Sequence, residues 1–273
     1  MEPALARRAN VESDHNFFGV VDEEVRFARE VRLRPGPGGF IDENADRVVE
    51  IRPSWPMAGP NGVRRLTCPP ERVGDVVAEV TALARRYGVG LVYGLDEEFY
   101  HLEPLLAGHG LDLVEEVATL ILPIDAAHIK RRPRVGLRDG LASFAAFVAH
   151  HSTVDAAFRG GPPENLGNLA QRYEESRRTP GFFLLTALID GRPVGGGGLQ
   201  VWPDGALLGG GAVLPEFRGR GVYRSLVAAR CSIARRQIGT PIATHARPQS
   251  RPLLEHLGFR VVGGWRSYAT GAE

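Results

Sequence analysis

The sequence predicts an α/β (α+β) fold in which a mixed, mostly antiparallel sheet is flanked by helices and laid down twice. Three observations carry this reading. Apolar runs joined by tight-turn residues mark a strand meander in the second half. A glycine-arginine turn then leads from the last strand of that meander into a long helix. Finally, two stretches of the first half recur in the second at a nearly constant offset.

The recurrence sets the order of elements. Pro69, Arg72, Val76, Val80, Leu83 and Tyr87 align with Pro215, Arg218, Val222, Leu226, Ala229 and Ile233 at an offset of 146. The last four of each set are spaced 4, 3 and 4 apart, one apolar stripe on a helix. Pro104, Leu105, Leu106, Gly110 and Val114 align with Pro252, Leu253, Leu254, Gly258 and Val262 at an offset of 148. Each half then runs strand, turn, helix, strand, helix, strand. In the second half, Asp139 to His150 reads as a helix with Leu141, Phe144, Ala145 and Val148 on one face. Arg159 to Pro163 reads as a loop and Asn165 to Arg178 as a helix. Phe182 to Ile189, Val194 to Trp202 and Ala206 to Leu214 read as strands, parted by Asp190-Gly191 and Pro203-Asp204-Gly205. Val222 to Gln237 is the next helix and Pro241 to Ala246 a strand. Pro252 to Leu257 is a short helix ended by Gly258, with the last strand from Phe259. The domains expected are 1–125, a linker at 126–133, and 134–273.

Composition narrows the class. With 43% hydrophobic and 24% charged residues, the 273-residue chain is an ordinary globular protein. No apolar run is long enough to span a bilayer, and the N-terminus lacks a signal pattern. Cys68 and Cys231 have no metal-ligand spacing, so a reducing cytoplasm is the expected compartment and no metal is expected. Residues 1–130 hold 14 basic and 22 acidic side chains, residues 131–273 hold 19 and 10. The basic half suits a polyanion; the acidic half suggests cationic acceptors such as polyamines. No basic stretch with interleaved aromatics points to nucleic acid.

The chemistry concentrates at Leu214 to Leu226. A turn with Gly219 and Gly221 opens a helix, so backbone N–H groups and the positive helix end converge on one point, a seat for a pyrophosphate. In the first half the same position reads Val73, Gly74 and Asp75. There Asp75 is placed as the N-cap of a helix starting near Val76, closing the seat with its own carboxylate. A P-loop reading fails because no Gly-Lys-Ser/Thr follows.

These residues resemble the GNAT N-acetyltransferase superfamily. Arg218, Gly219, Arg220 and Gly221 fit its Arg/Gln-x-x-Gly-x-Gly/Ala signature, with Tyr223 in place of the final small residue. Ser250, Leu253, Glu255, Leu257, Gly258 and Phe259 fit its later motif, while Arg247 and Leu254 replace its asparagine and tyrosine. The resemblance spans about residues 134–270 and, with the repeat, implies a tandem GNAT with a degenerate first copy. It implies acetyl-CoA as acyl donor and a small-molecule amine as acceptor, joined by direct attack in a ternary complex. CoA would contact Ala212, Val213, Arg218, Gly219, Arg220, Gly221, Val222, Tyr223 and Arg224, with Gly209 to Gly211 permitting a bulge. Leu254 cannot act as the family's tyrosine acid, and Ala206 to Val213 holds no titratable side chain. His245, across the expected fork, is the candidate base or else a structural histidine. Tyr223 donates a proton or covers CoA. Ser250 bonds the thiol or caps the helix before Pro252. Glu216 reads as a solvated turn residue, Cys231 as core, and His150-His151 as a helix end favouring positive charge. Trp55 and Trp202 line a cleft or pack. The missing acid also motivates a second reading, a catalytically silent CoA-binding or regulatory module.

Overall fold

The computed structural model describes residues 23–123, 126, 128–159, 168–237 and 241–270. The chain opens with helix α1 (23–30) and strands β1 (Phe40–Glu43), β2 (Arg47–Ile51) and β3 (Gly62–Leu66). Helix α2 (Val73–Tyr87), β4 (Val92–Asp96), α3 (Glu103–Gly108) and β5 (Leu111–Leu122) follow. The second half begins with β6 (Gly136–Asp139), α4 (Phe144–Arg159) and α5 (Leu169–Arg178). The meander β7 (Phe182–Ile189), β8 (Arg192–Trp202) and β9 (Gly205–Val213) leads into α6 (Val222–Gln237). The described chain ends with β10 (Ile242–Ala246), α7 (Arg251–His256) and β11 (Arg260–Thr270).

All eleven strands join one sheet, in the order β1-β2-β3-β4-β11-β5-β10-β9-β8-β7-β6. Apart from β6, the order and pairing senses read the same from either end. The links β3–β4 and β9–β10 are parallel, and the others antiparallel. The last strand of each half lies beside the fourth strand of the other. The two last strands pair at the centre with Trp265 opposite Val117, residues 148 apart. That spacing equals the repeat offset, so this pair sits on the pseudo-twofold axis. The exchange puts Leu120 and Leu122 of the first half in a core with Val227, Ile242 and Phe259. The first half's own core gathers Val73, Val76 and Val80 of α2 against Ile51, Val63 and Leu95. Their 3-4 spacing drives α2 onto the sheet, and Gly88 ends it in a left-handed cap at φ 64°.

Strand β8 explains the glycine run Gly195–Gly198. Adjacent strand residues face opposite ways. A Cβ on Gly196 would lie 2.6 Å from His150 Cε1 of α4, and one on Gly197 would lie 2.6 Å from Arg230 Nη1 of α6. The two helices therefore cover opposite faces of β8, at a distance only glycine allows.

Most expected bounds hold within two residues, with three corrections. The helix expected at Asp139–His150 lies at Phe144–Arg159. Gly136–Asp139 instead extends the sheet edge, and Ser143 Oγ accepts the Ala146 N–H at 3.1 Å at the helix start. Helix α2 starts at Val73 with Arg72 as cap, so Asp75 is not its N-cap. Asp75 stands in the first turn, paired to Arg72 at 2.7 Å. The helix expected from Asn165 starts at Leu169, with Asn168 accepting from Gln171 N. Residues 165–167, like most of the expected Arg159–Pro163 loop, lie outside the described residues.

Candidate functional site

Strands β9 and β10 pair only from Ala206 and Ile242 to Leu208 and Thr244, and then diverge. Gly210 and Gly211 oppose Gly197 alone, a bulge with Gly210 at φ +58°. The bulge turns β9 away from β10 and frees its edge through Ala212 and Val213, which pair with β8 on the other side. A slot of about 150 Å³ opens in the fork, walled by Tyr223, Arg230, His245, Ser250 and Leu254.

At the outer end of the fork lies the glycine-arginine turn. Gly219 and Gly221 take φ +73° and +77°, the left-handed region that folds successive N–H groups into a nest. The bond from Ser225 N–H to the Gly221 carbonyl, 3.0 Å, is the first at this end of α6. The N–H groups of Val222, Tyr223 and Arg224 have no acceptor within the helix. The first half lacks this shape: Val73 is right-handed at φ −54° and runs straight into α2.

The turn's arginines behave differently from one another. Arg218 reaches the carbonyls of Val213 and Ala157, each at 3.2 Å, and Arg224 reaches that of Lys130 at 3.1 Å. Arg220 stacks on Phe217, 5.2 Å from the ring centre. Arg132 was missed by sequence reasoning. Its backbone N–H bonds Ser225 Oγ at 3.0 Å, and its Cγ would lie 2.6 Å from a Cβ on Gly221. The only available signal was the basic run 130–132 within the expected linker.

Inside the slot, Arg230 is the main surprise. It is buried on α6, donating to Gly198 and Gly209 carbonyls at 2.9 and 3.1 Å and to Leu226 O at 3.2 Å. Among the described residues it forms no ion pair within 4.0 Å. Beside it, burial raises the Tyr223 phenol above its usual pKa, opposed by Arg230 and by a hydrogen bond with Ser250. Ser250 Oγ also donates to Arg247 O at 3.2 Å and makes no capping bond, so its expected capping role is not seen. Leu254 is fully buried, and Cys231 is core, its thiol pushed up to about 11 by burial. Glu216 is exposed and pairs with Arg192 at 3.4 Å.

His245 stands where the slot meets a second cavity of about 820 Å³, and lines both. Its Nε2 is buried without a partner, and its ring meets Trp265 edge-on at 4.7 Å. Burial, with help from Arg32 and Arg64, holds its pKa down at about 3, so the ring is neutral. The cavity draws on both halves, including Trp55 and Trp202. His150 and His151 line it too, in the middle of α4 and not at its end. Burial and neighbouring arginines lower them to about 4 and 2, so the positive charge expected for a helix end is absent. Among the described residues, no cluster of side chains suits a metal ion.

Comparisons agree with this geometry. The family model described as acetyltransferase (GNAT) family matches residues 150–259. No curated protein matches the chain in sequence. Among solved structures, a GCN5-related N-acetyltransferase from Kribbella flavida aligns at TM-score 0.63 and 14% identity, covering 92% of this chain and 96% of its own. A functionally unknown conserved protein from Staphylococcus epidermidis aligns at 0.66 and 13%, covering 87% and 96%. A tandem GNAT protein from the clavulanic acid biosynthesis pathway aligns at 0.54 and 18%, covering 91% and 88%. The mixed sheet flanked by helices is therefore a fold shared with these solved structures, and residues 150–259 match the model of the acetyltransferase (GNAT) family.

Proposed function

We propose that this protein transfers an acetyl group from acetyl-CoA to the amine of a small molecule, with one CoA site, in the second half. The observation that carries this reading is the fork between β9 and β10 ending at the Gly219–Gly221 nest. The fork fits a pantetheine arm along the free edge of Ala212 and Val213. The nest and the N–H groups of Val222, Tyr223 and Arg224 fit a pyrophosphate, with Arg132 and Arg220 adding charge. The right-handed Val73 supports reading residues 1–125 as a degenerate copy, 126–133 as a linker and 134–273 as the catalytic part.

In the slot, the amine nitrogen attacks the thioester carbonyl carbon. The N–C bond forms, the C–S bond breaks, and the nitrogen loses a proton as sulfur gains one. His245, neutral and unpartnered at Nε2, accepts a hydrogen bond from the amine N–H and orients it; with its pKa held at about 3 it does not keep the proton, which leaves to water. Tyr223 donates to the departing thiolate, taking the role that Leu254 cannot. Arg230 adds a buried positive charge as negative charge moves onto oxygen and then sulfur. Ser250 orients the Tyr223 hydroxyl. Holding both substrates in one fork contributes most of the acceleration.

The test is steady release of CoA thiol from acetyl-CoA with a panel of primary amines. Turnover with mass gain of 42 Da on the acceptor, roughly the acetyl-for-hydrogen exchange, is expected. Acetyl-CoA binding without turnover of any amine would favour the second reading, a silent CoA-binding module, which the buried Leu254 motivates. Among the described residues no helix is long and apolar enough to cross a membrane, and the reading requires neither membrane nor nucleic acid.

A further inference from the structure

The cavity of about 820 Å³ is the room beyond the fork, sharing Phe158, Gly210, His245 and Arg247 with the slot. An acceptor entering there meets charges that are already matched within the protein. Glu50 pairs with Arg52 at 2.6 Å and with Arg64 at 2.7 Å. Glu115 pairs with Arg247, Arg32 with Asp96, Arg34 with Asp204 at 2.6 Å, and Asp155 with Arg159 at 2.9 Å. A second charge on the acceptor would have to break one of these pairs or be buried without a partner, and either is costly. What these pairs leave to a ligand is aromatic surface.

The chain has three tryptophans, and all three line this cavity. They come from distant places: Trp55 from the loop between β2 and β3, Trp202 from the end of β8, and Trp265 from the middle of β11. Each is half-buried, so part of each ring stays uncovered. Each also has an arginine over its ring. Arg172 lies over Trp55 at 3.1 Å, Arg34 over Trp202 at 5.1 Å and Arg32 over Trp265 at 4.7 Å. These arginines are held in turn, Arg32 and Arg34 by their ion pairs and Arg172 by His151 Nδ1 at 3.0 Å. The rings are therefore fixed before a ligand arrives, which lowers the cost of binding one. Trp265 stands nearest the chemistry. It meets His245 edge-on at 4.7 Å, and His245 lines the slot. A ring a few bonds from the amine would reach Trp265 while the amine lies at His245, and ring pairs at such separations gain more than their buried area alone.

Resting on the transferase reading above, we propose that the acceptor is a primary amine joined by a short spacer to a flat, uncharged aromatic body. The amine lies at His245 and the ring against Trp265, with Trp55 and Trp202 bounding the room for a larger ring system.

The test uses the full chain with acetyl-CoA and four probes of similar length: phenethylamine, cyclohexylethylamine, hexamethylenediamine and aminocaproate. Phenethylamine should exceed its cyclohexyl counterpart in kcat/KM by about threefold to tenfold, the scale of a ring–ring contact. It should exceed both charged probes by at least about tenfold, the scale of burying an unmatched charge. Trp265→Leu should erase the preference for phenethylamine over cyclohexylethylamine while leaving the KM for acetyl-CoA within about twofold. Equal use of those two amines, or preference for either charged probe, would overturn the proposal while leaving the transferase reading intact. If no probe turned over, tryptophan emission of the CoA-saturated protein would decide, since every tryptophan of the chain lines the cavity. A change that saturates with phenethylamine at several-fold lower concentration than with cyclohexylethylamine upholds the aromatic seat and counts against the transferase. Equal changes, or none, overturn the seat.

Discussion

At the residue scale, the candidate site works by keeping charges where water cannot reach them. In the proposed reading, Tyr223 and Arg230 take the part of the tyrosine that the family resemblance implies at Leu254. Replacing Tyr223 by Phe should lower kcat by about a hundredfold, the contribution of a positioned proton donor, with little change in KM for acetyl-CoA. A fall in KM sensitivity alone, with kcat preserved, would reduce Tyr223 to packing. The histidines make a second prediction. His150 is held near 4 in the folded chain against 6.5 in an ordinary one. Its depressed folded value means the unfolded chain binds a proton first as pH falls. Stability should therefore drop below pH 6.5 and keep dropping until about pH 4, by about 2 kcal/mol between pH 7 and 5 for this residue alone. Urea midpoints that stay level over that interval would show His150 to be protonated in the folded state. Arg230 was illegible in the sequence because an arginine on a helix reads as a solvated face. Only the glycine strand beneath it reveals the burial.

At the element scale, punctuation made the second half readable. Asp190 and Gly191, both at positive φ, join β7 to β8 where the dipeptide predicts a hairpin, and α6 has the bounds that its apolar stripe predicts. Helix α4 was displaced because Leu141 and Ala145 continue an apolar pattern that the sheet edge and Ser143 override. The glycine run of β8 carries a prediction of its own. Gly197→Ala puts a methyl group 2.6 Å from Arg230 Nη1, and Arg230 is anchored to two carbonyls and cannot swing away cheaply. The cost should be about 1–3 kcal/mol in denaturant unfolding, against a few tenths for Gly191→Asn in the hairpin turn. Comparable losses for the two substitutions would contradict the close approach of α6.

At the scale of the whole molecule, the repeat offset was legible but the exchange of β5 and β11 was not. Repetition fixes the order of elements along the chain and says nothing about which strands become neighbours. The exchange predicts that 134–273 alone does not fold, because β10 would lose β5 and the core would lose Leu120 and Leu122. Expressed apart, it should aggregate, and co-expression with 1–133 should restore soluble protein. A soluble, cooperatively unfolding 134–273 fragment would contradict the shared core. Whether the two similar halves hold one CoA site or two is read by calorimetric titration of acetyl-CoA onto the full chain. One equivalent should bind per chain, abolished by Gly221→Asp and untouched by Asp75→Gly. Two equivalents, or binding that survives Gly221→Asp, would contradict it.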